Sequence, residues 1–512
     1  VKALVSLVGA GPGDPSLITL AGVRALARAD VVLYDALVHR AVLDHARPTA
    51  LRTFVGKRAG HDGIRQEEIH GLILEHARAG RRVCRLKGGD PLLFGRGSEE
   101  AEFLRAHEIS FEVIPGVSSV LGATAYAGIP LTHRAHASSV AFVTSSEHAQ
   151  RSESAHDWSL LANGTQTLVL FMGVRRVRQE MARLIEHGRP PHTPAAAIEW
   201  GTFARQRVVT GTVADLADRC EHEDLKPPAL LVVGAVAALR EELRWWDAQP
   251  LFGVQVALTQ SIERQSSLTE SLLEEGAEPL RLPAIESVSA TDPEPLARAA
   301  RQADEYDLLA FSSPPAVDRF FEALRAQQRD ARALGRARVA AIGDATAAAL
   351  RAHGIIADIS ARTSTEPSLE HALRAPQGGA KGGWRALIPR AAKGGELLES
   401  RLRALGWSVD VVAAYETLPH APGLSDLRGA LEDGAVDVIV FSSAVAVDAV
   451  CDGLGERAGQ LLAPVTIASL GPKTSEQARA RGLAVTCQAL EPTDEGLLAS
   501  LRAHFAARRA SR

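Results

Sequence analysis

Residues 3–34, ALVSLVGAGPGDPSLITLAGVRALARADVVLY, decide the fold class. An apolar run from Ala3 to Val8 breaks at a glycine loop. A helical pattern follows from Leu17 to Ala29, and a second apolar run covers Val31 to Tyr34. Short apolar strands alternating with longer amphipathic segments predict α/β architecture. The same alternation continues through all 512 residues, a length that accommodates roughly three or four compact units. Aromatic residues are only 4%, so Val, Leu, Ile and Ala must fill the cores.

Composition removes several classes of function. A formal charge of -4 with interspersed acids and bases leaves no basic stripe for a phosphate backbone, which argues against a nucleic-acid partner. Cys84, Cys220, Cys451 and Cys487 lie far apart with no CxxC pair, so neither a disulfide framework nor a thiolate zinc site is expected. A reducing, cytoplasmic setting fits. Val1 to Ala10 is too short and glycine-broken for a signal peptide and reads as a buried strand. The longest apolar stretch, Ala229 to Leu239, is far below the roughly 20 residues that cross a bilayer, so no membrane span is expected. Polar residues of weak periodicity at Glu147 to Asp157 read as a linker, and the break from Trp245 to Phe252 as the main domain boundary.

Beyond that boundary the chain repeats itself. Phe311-Ser312-Ser313-Pro314-Pro315-Ala316-Val317-Asp318 recurs as Phe441-Ser442-Ser443-Ala444-Val445-Ala446-Val447-Asp448. Ile342-Gly343-Asp344-Ala345-Thr346 recurs as Leu470-Gly471-Pro472-Lys473-Thr474, and Leu258 to Gly276 pairs with Leu387 to Gly406. The near-constant offset makes residues 253–512 two copies of one α/β unit, with the cleft between them the natural place for a ligand. In each copy small hydroxyl residues follow an apolar strand at a helix start. They can cap the helix, or the free N–H groups there can attract carboxylates. The symmetric set Ser312, Ser313, Thr346, Ser442, Ser443 and Thr474 favours a polyanionic ligand.

Four glycine-bearing turns mark the first half: Gly9-Ala10-Gly11-Pro12-Gly13-Asp14-Pro15, Arg85-Leu86-Lys87-Gly88-Gly89-Asp90-Pro91 through Gly97, Pro115-Gly116-Val117-Ser118-Ser119, and Gly128 through Arg134. Glycine permits positive φ and close backbone approach to a ligand. The first turn fails the dinucleotide fingerprint because Asp14 stands where the third glycine belongs, which disfavours a nicotinamide oxidoreductase. Val55-Gly56-Lys57-Arg58 lacks the spaced glycine and the hydroxyl of a phosphate loop. Two glycine loops with their aspartates can instead surround an adenosyl and amino-acid moiety.

This ordered set, with Tyr34-Asp35, Phe171-Met172-Gly173, Gly201-Thr202 and Pro227-Pro228-Ala229-Leu230, resembles the uroporphyrinogen-III C-methyltransferases over residues 1–247. RLKGGDP together with IPLTHR is the specific part of the match. The resemblance implies a two-lobed tetrapyrrole methylase fold, with lobes at about 1–134 and 135–247, that binds S-adenosyl-L-methionine and forms a homodimer through this half. It implies cofactor contacts from Pro12, Gly88, Gly89, Asp90, Leu93, Ser118, Ser119, Met172, Gly201 and Ala229. Asp35 would be the proton acceptor, Lys57 the proton donor and Arg134 a substrate contact. The bland alternatives are a turn-capping carboxylate for Asp35 and a solvated charge for Lys57. In-line methyl transfer to an electron-rich pyrrole carbon requires alignment, exclusion of water and a modest base, and no metal. Ser118, Val120 and Thr144-Ser145-Ser146 depart from the usual family residues, the last in a way that bears on substrate contacts.

Residues 253–512 resemble uroporphyrinogen-III synthase through Pro283-Ala284-Ile285-Glu286, the paired FSS segments, Ile342 to Thr346, Leu387-Ile388-Pro389-Arg390, Ala414-Tyr415-Glu416-Thr417 and Gly471 to Thr474. The resemblance implies two α/β lobes, one of about 253–285 plus 418–512 and the other of about 286–417. Hydroxymethylbilane would lose its terminal hydroxyl with help from Tyr415 and close to uroporphyrinogen III. Thr346, Ser442, Ser443 and Thr474 would bind its carboxylates, while an ordinary strand-end tyrosine is the alternative for Tyr415 alone. The second half's product is the first half's substrate, so the expected chemistry is lyase then transferase, ending at precorrin-2 on the way to siroheme or cobalamin. With no nicotinamide and chelatase module ahead of Val1, the chain is expected to stop there. The competing function is a methyltransferase fused to a non-catalytic tetrapyrrole-binding or regulatory module.

Overall fold

The computed structural model describes residues 5–56, 64–145, 156–262, 266–361, 372–374 and 384–510. The expected strand's first four residues, Lys57 with Arg58, and linker residues 146–155 lie outside the described residues. The chain divides into two compact units, Val1–Gln255 with Ser271–Glu278 and Phe505–Arg512, and Val256–Glu270 with Pro279–His504.

The first unit holds two sheets. Strands β1 (Val5–Gly9), β2 (Val31–Tyr34), β3 (Leu51–Phe54), β4 (Val83–Lys87) and β5 (Phe111–Ile114) form a wholly parallel sheet in the order β3-β2-β4-β1-β5. Its two faces feed separate cores, as side chains alternating along buried strands require. Val5, Leu7, Val31, Leu33 and Val83 pack with Ile69, Ile73 and Leu104, while Val8, Val32, Cys84 and Leu86 pack with Leu26 and Val42 on the other side. The helical pattern expected from Leu17 resolves into a short 3-10 turn at Pro15–Leu17 and a helix at Leu20–Arg28. Thr19 caps that helix by accepting the Gly22 N–H.

Strands β6 (Val140–Thr144), β7 (Thr167–Phe171), β8 (Pro194–Glu199), β9 (Arg207–Thr212) and β10 (Ala229–Val233) form the second sheet, in the order β6-β7-β10-β8-β9. It is mixed, with β6 and β7 parallel and β10 antiparallel to both β7 and β8. Loops from both sheets meet: the Asp14 N–H donates to Thr202 Oγ1 at 2.9 Å, and the Tyr126 hydroxyl donates to Asp14 Oδ2 at 2.6 Å.

The second unit holds the sequence repeat, and its topology is not one repeat per sheet. The first copy supplies β11 (Gln255–Leu258), β12 (Glu278–Arg281), β13 (Ile285–Ser289), β14 (Leu308–Phe311), β15 (Arg338–Ile342) and β16 (Ile359–Ala361). The second supplies β17 (Trp384–Ala391), β18 (Trp407–Pro419), β19 (Val438–Phe441), β20 (Thr466–Ser469) and β21 (Val485–Gln488). The sheets run β12-β11-β19-β20-β21 and β13-β18-β17-β14-β15-β16. Thus β11 of the first copy pairs in parallel with β19 of the second, and β17 of the second pairs in parallel with β14 of the first. The two copies have exchanged their opening strands. Each FSS segment still leaves the carboxyl end of its strand into a helix, Pro314–Ala326 after β14 and Ala444–Leu454 after β19.

Candidate active site

The carboxyl ends of β1, β2, β4 and β5 carry the glycine turns and Asp35, the edge of a parallel sheet where ligands characteristically bind. The glycines there serve the backbone first. A Cβ on Gly9 would meet Gly116 Cα at 2.6 Å, and one on Gly116 would meet the Gly89 carbonyl oxygen at 2.3 Å. The first and second turns also bond to each other, Gly89 N–H to the Gly11 carbonyl at 2.7 Å. Asp90 spends both oxygens on backbone: Oδ1 accepts from Leu92 and Leu93, Oδ2 from Gly116.

These turns border a cavity of about 950 Å³. Of the residues singled out from sequence, Pro12, Asp35, Gly88, Ser119, Met172, Gly201 and Ala229 line it. Gly89, Asp90, Leu93 and Ser118 stand behind that lining as turn and packing residues, Ser118 being buried and Leu93 packed against the core that contains Val120 and Phe171. Arg134 is exposed on the turn closed by the Ala137 N–H to His133 carbonyl bond and does not line the cavity. Phe94, Arg96, Met172 and Trp200 on the cavity wall all have positive φ, between 48° and 58°. Such backbone is costly for side-chain-bearing residues and concentrates at functional sites.

A charged set unforeseen from the sequence lies at the cavity floor. Arg85 and Lys87, two residues apart on β4, project on one face. Arg85 Nη2 donates to Asp35 Oδ1 at 2.6 Å and its Nε to Glu100 Oε1 at 3.0 Å. The same Glu100 oxygen accepts from Lys87 Nζ at 2.9 Å and Gln66 Nε2 at 3.1 Å. Asp35 is 28% exposed to the cavity side, whereas Arg85, Lys87 and Glu100 are 2%, 3% and 0% exposed. Burial would push the Glu100 pKa up, but Arg85 and Lys87 outweigh it and hold the carboxyl below its usual range. Burial and the neighbouring Arg85 draw the Lys87 ammonium below its ordinary value. For Arg85 burial works against the cation, and Asp35 and Glu100 more than offset it. The one sequence sign of this set was a pair of charges two apart in the otherwise apolar VCRLK. Its partners lie far along the chain, beyond the reach of spacing rules. Arg65, Arg175 and Arg176 add cations to the wall, with Ser145, Phe94 and Phe203 beside them. Among the described residues no group of His, Cys, Asp and Glu forms a metal cluster, and no helix is long and apolar enough to cross a membrane.

In the second unit Tyr415 is buried within β18, two-thirds of the way along it, and its hydroxyl donates to Ser313 Oγ at 3.1 Å. Ser443 caps the helix Ala444–Leu454 by accepting the Ala446 N–H, and Ser442 beside it is half-buried. Thr346 and Thr474 are buried in the first turns of the helices Asp344–Ala352 and Pro472–Ala480. The hydrogen bonds of the described residues bring Tyr415 to Ser313 and do not link it to the other four.

Comparison with known proteins follows the same division. Residues 4–217 match the tetrapyrrole (corrin/porphyrin) methylases, and residues 266–499 match the uroporphyrinogen-III synthase HemD. The porphyrin biosynthesis protein HemD of Ruminiclostridium josui is 35% identical over 477 residues, 93% of each chain. The siroheme synthase of Xylella fastidiosa is 52% identical over 247 residues, 48% of this chain and 52% of the relative, so the chain spans about half the length of that protein. The crystal structure of a uroporphyrin III C-methyl transferase from Thermus thermophilus is 41% identical, covering 46% of this chain and 100% of its own, with a TM-score of 0.40. Matched along nearly the whole of the R. josui protein, the chain belongs to the porphyrin biosynthesis proteins of the HemD type, with a tetrapyrrole methylase ahead of a uroporphyrinogen-III synthase.

Proposed function

We propose that residues 253–512 close hydroxymethylbilane to uroporphyrinogen III and that residues 1–247 transfer two methyl groups to it from S-adenosyl-L-methionine, giving precorrin-2. The observation that carries the reading is the cavity of about 950 Å³ whose wall joins Pro12, Gly88, Ser119, Met172, Gly201 and Ala229 to the carboxylate of Asp35. The residues fit the cofactor. Side-chain-free Gly88 and Gly201 leave backbone at the cavity wall, and apolar Pro12, Met172 and Ala229 offer surface for an adenosyl group. When bound, S-adenosyl-L-methionine supplies an electrophilic methyl on sulfur.

The chain's own part is positional and acid–base. The cavity wall aligns the reacting carbon with the methyl donor. Methylation leaves the carbon quaternary and the ring system positively charged, and Asp35, oriented by Arg85 at 2.6 Å, takes the proton that the macrocycle then releases to return to neutrality. Arg65, Arg96, Arg175 and Arg176 suit a substrate rich in carboxylates. In the second half Tyr415 assists departure of the bilane hydroxyl by hydrogen bonding, while Thr346, Ser442, Ser443 and Thr474 hold propionate and acetate groups. Supporting the coupling, the ring closed by one half is the substrate of the other. Purified protein incubated with hydroxymethylbilane and labelled S-adenosyl-L-methionine should yield a type III macrocycle carrying two labelled methyl groups. An unlabelled product removes the methyltransferase reading, and the type I isomer alone removes the synthase reading.

A further inference from the structure

Glu100 stands out among the polar residues of the first unit. It is fully buried, its Oε1 accepts from Arg85, Lys87 and Gln66, and its Oε2 is buried without a hydrogen-bond partner among the described residues. A buried carboxylate is expensive unless paired, and a second buried oxygen left unmatched adds to that cost. Packing alone would be served better by an apolar side chain at this point of the helix Gly97–Ala106. The Arg85 guanidinium donates its Nε–H to Glu100 and a terminal Nη2–H to Asp35, so the two carboxylates are coupled through a single planar cation. Arg85 and Lys87 balance Asp35 and Glu100 charge for charge.

We infer that Glu100 is a positioning residue for methyl transfer: itself held by Lys87 and Gln66, it anchors Arg85 from behind, fixing the direction and limiting the strength with which Arg85 holds the Asp35 carboxylate. This rests on the reading of Asp35 as the base. Arg85 Nη1 also donates to the Leu33 and Leu86 carbonyls, but without Glu100, among the described residues, Asp35 is the one carboxylate left bonded to Arg85 and accepts a proton less readily. Other charges face the pair. His70 and Glu67 from the helix Gln66–Arg78, with Arg96 and Glu99, lie around Glu100, and Lys87 also acts on Asp35. None of these others bonds to Arg85 among the described contacts.

The test is the pH profile of kcat/KM for uroporphyrinogen III in the full-length protein. Glu100→Gln should move the acid limb to lower pH and lower kcat by about 10- to 100-fold. Binding of S-adenosylhomocysteine, measured by calorimetry, should be unchanged. Glu100→Gln leaves an extra buried cation, so the double variant Lys87→Met/Glu100→Gln, which restores charge balance, is measured beside it and should show the limb displaced in the same direction but less far, because Lys87 also acts on Asp35. An acid limb that stays at its wild-type pH in folded Glu100→Gln, or in the double variant should the single one not fold, with only the melting temperature lowered, overturns the inference and leaves Glu100 a structural residue. Absence of methyl transfer by the wild-type protein in the same assay would instead overturn the function proposed for this half.

Discussion

The two halves of the chain place different chemistry at their candidate sites. The first concentrates buried charge, with Asp35, Arg85, Lys87 and Glu100 joined by hydrogen bonds of 2.6 to 3.0 Å. The second offers neutral hydroxyls: Tyr415 on Ser313, with Thr346, Ser442, Ser443 and Thr474 at helix starts. The contrast suits the reactions proposed. Removing a proton from the methylated macrocycle needs a base of controlled strength, and a base needs charges around it. Closing a reactive linear tetrapyrrole mainly needs the chain held in one shape, which hydrogen bonds to neutral groups can do.

The largest expected effect breaks the first half alone. Asp35→Asn preserves shape and removes the base, so methyl transfer should fall by about 10²-fold or more. Cyclisation of hydroxymethylbilane by the same variant should continue at the wild-type rate. Parallel assays of methyl incorporation and ring closure check both. An equal fall in the two activities would mean the halves do not act as separate sites.

Next in size is Tyr415→Phe, which deletes a hydroxyl whose partner is Ser313. A single neutral hydrogen bond is worth about 0.5–1.5 kcal/mol, so ring closure should slow by up to about tenfold. Methylation of supplied uroporphyrinogen III should not change. A loss comparable to that at Asp35 would show that the hydroxyl half also relies on strong acid–base help.

Stability against acid sharpens the contrast further. The Glu100 carboxyl is held below its usual value in the folded protein, so its contribution is fully present above the ordinary glutamate range. It is lost as pH falls through the lowered value. Denaturant midpoints followed from neutral to acidic pH should therefore drop more steeply for the first unit than for a Glu100→Gln variant.

Much of this arrangement was legible in residue order. The alternation of strand and helix, the glycine turns and the repeat of the FSS segments all correspond to elements seen in the structure. The exchange of opening strands was not legible. β11 and β17 carry the same kind of apolar pattern, and nothing local tells a strand which copy's sheet it will complete. Nor could spacing show that Gly9, Gly89 and Gly116 are needed to let three turns pack backbone on backbone. The Glu100 cluster was hidden for the same reason, since its members come from just beyond β2, from β4 and from two helices and meet only after the sheet has formed. Patterns report which face a residue takes, whereas partners are chosen by topology.

The smallest expected effect tests the repeat against itself. Ser313 and Ser443 occupy equivalent places before equivalent helices, yet they make different bonds. Ser443 accepts the Ala446 N–H at 3.3 Å, whereas Ser313 makes no cap bond and accepts the Tyr415 hydroxyl instead. Pro314 and Pro315 lack N–H groups, but Ala316, the counterpart of Ala446, keeps its own, so the difference lies in the tyrosine that reaches the first serine and, among the described residues, has no counterpart bonded to the second. Ser443→Ala should destabilise the second unit by about 1 kcal/mol, while Ser313→Ala, which leaves the buried Tyr415 hydroxyl without its acceptor, should cost at least as much and also slow ring closure in the manner of Tyr415→Phe. Denaturation and ring-closure rates of the two variants decide it. If both lose stability equally and neither changes the rate, the serines are plain caps in both copies and the tyrosine contact carries no chemistry.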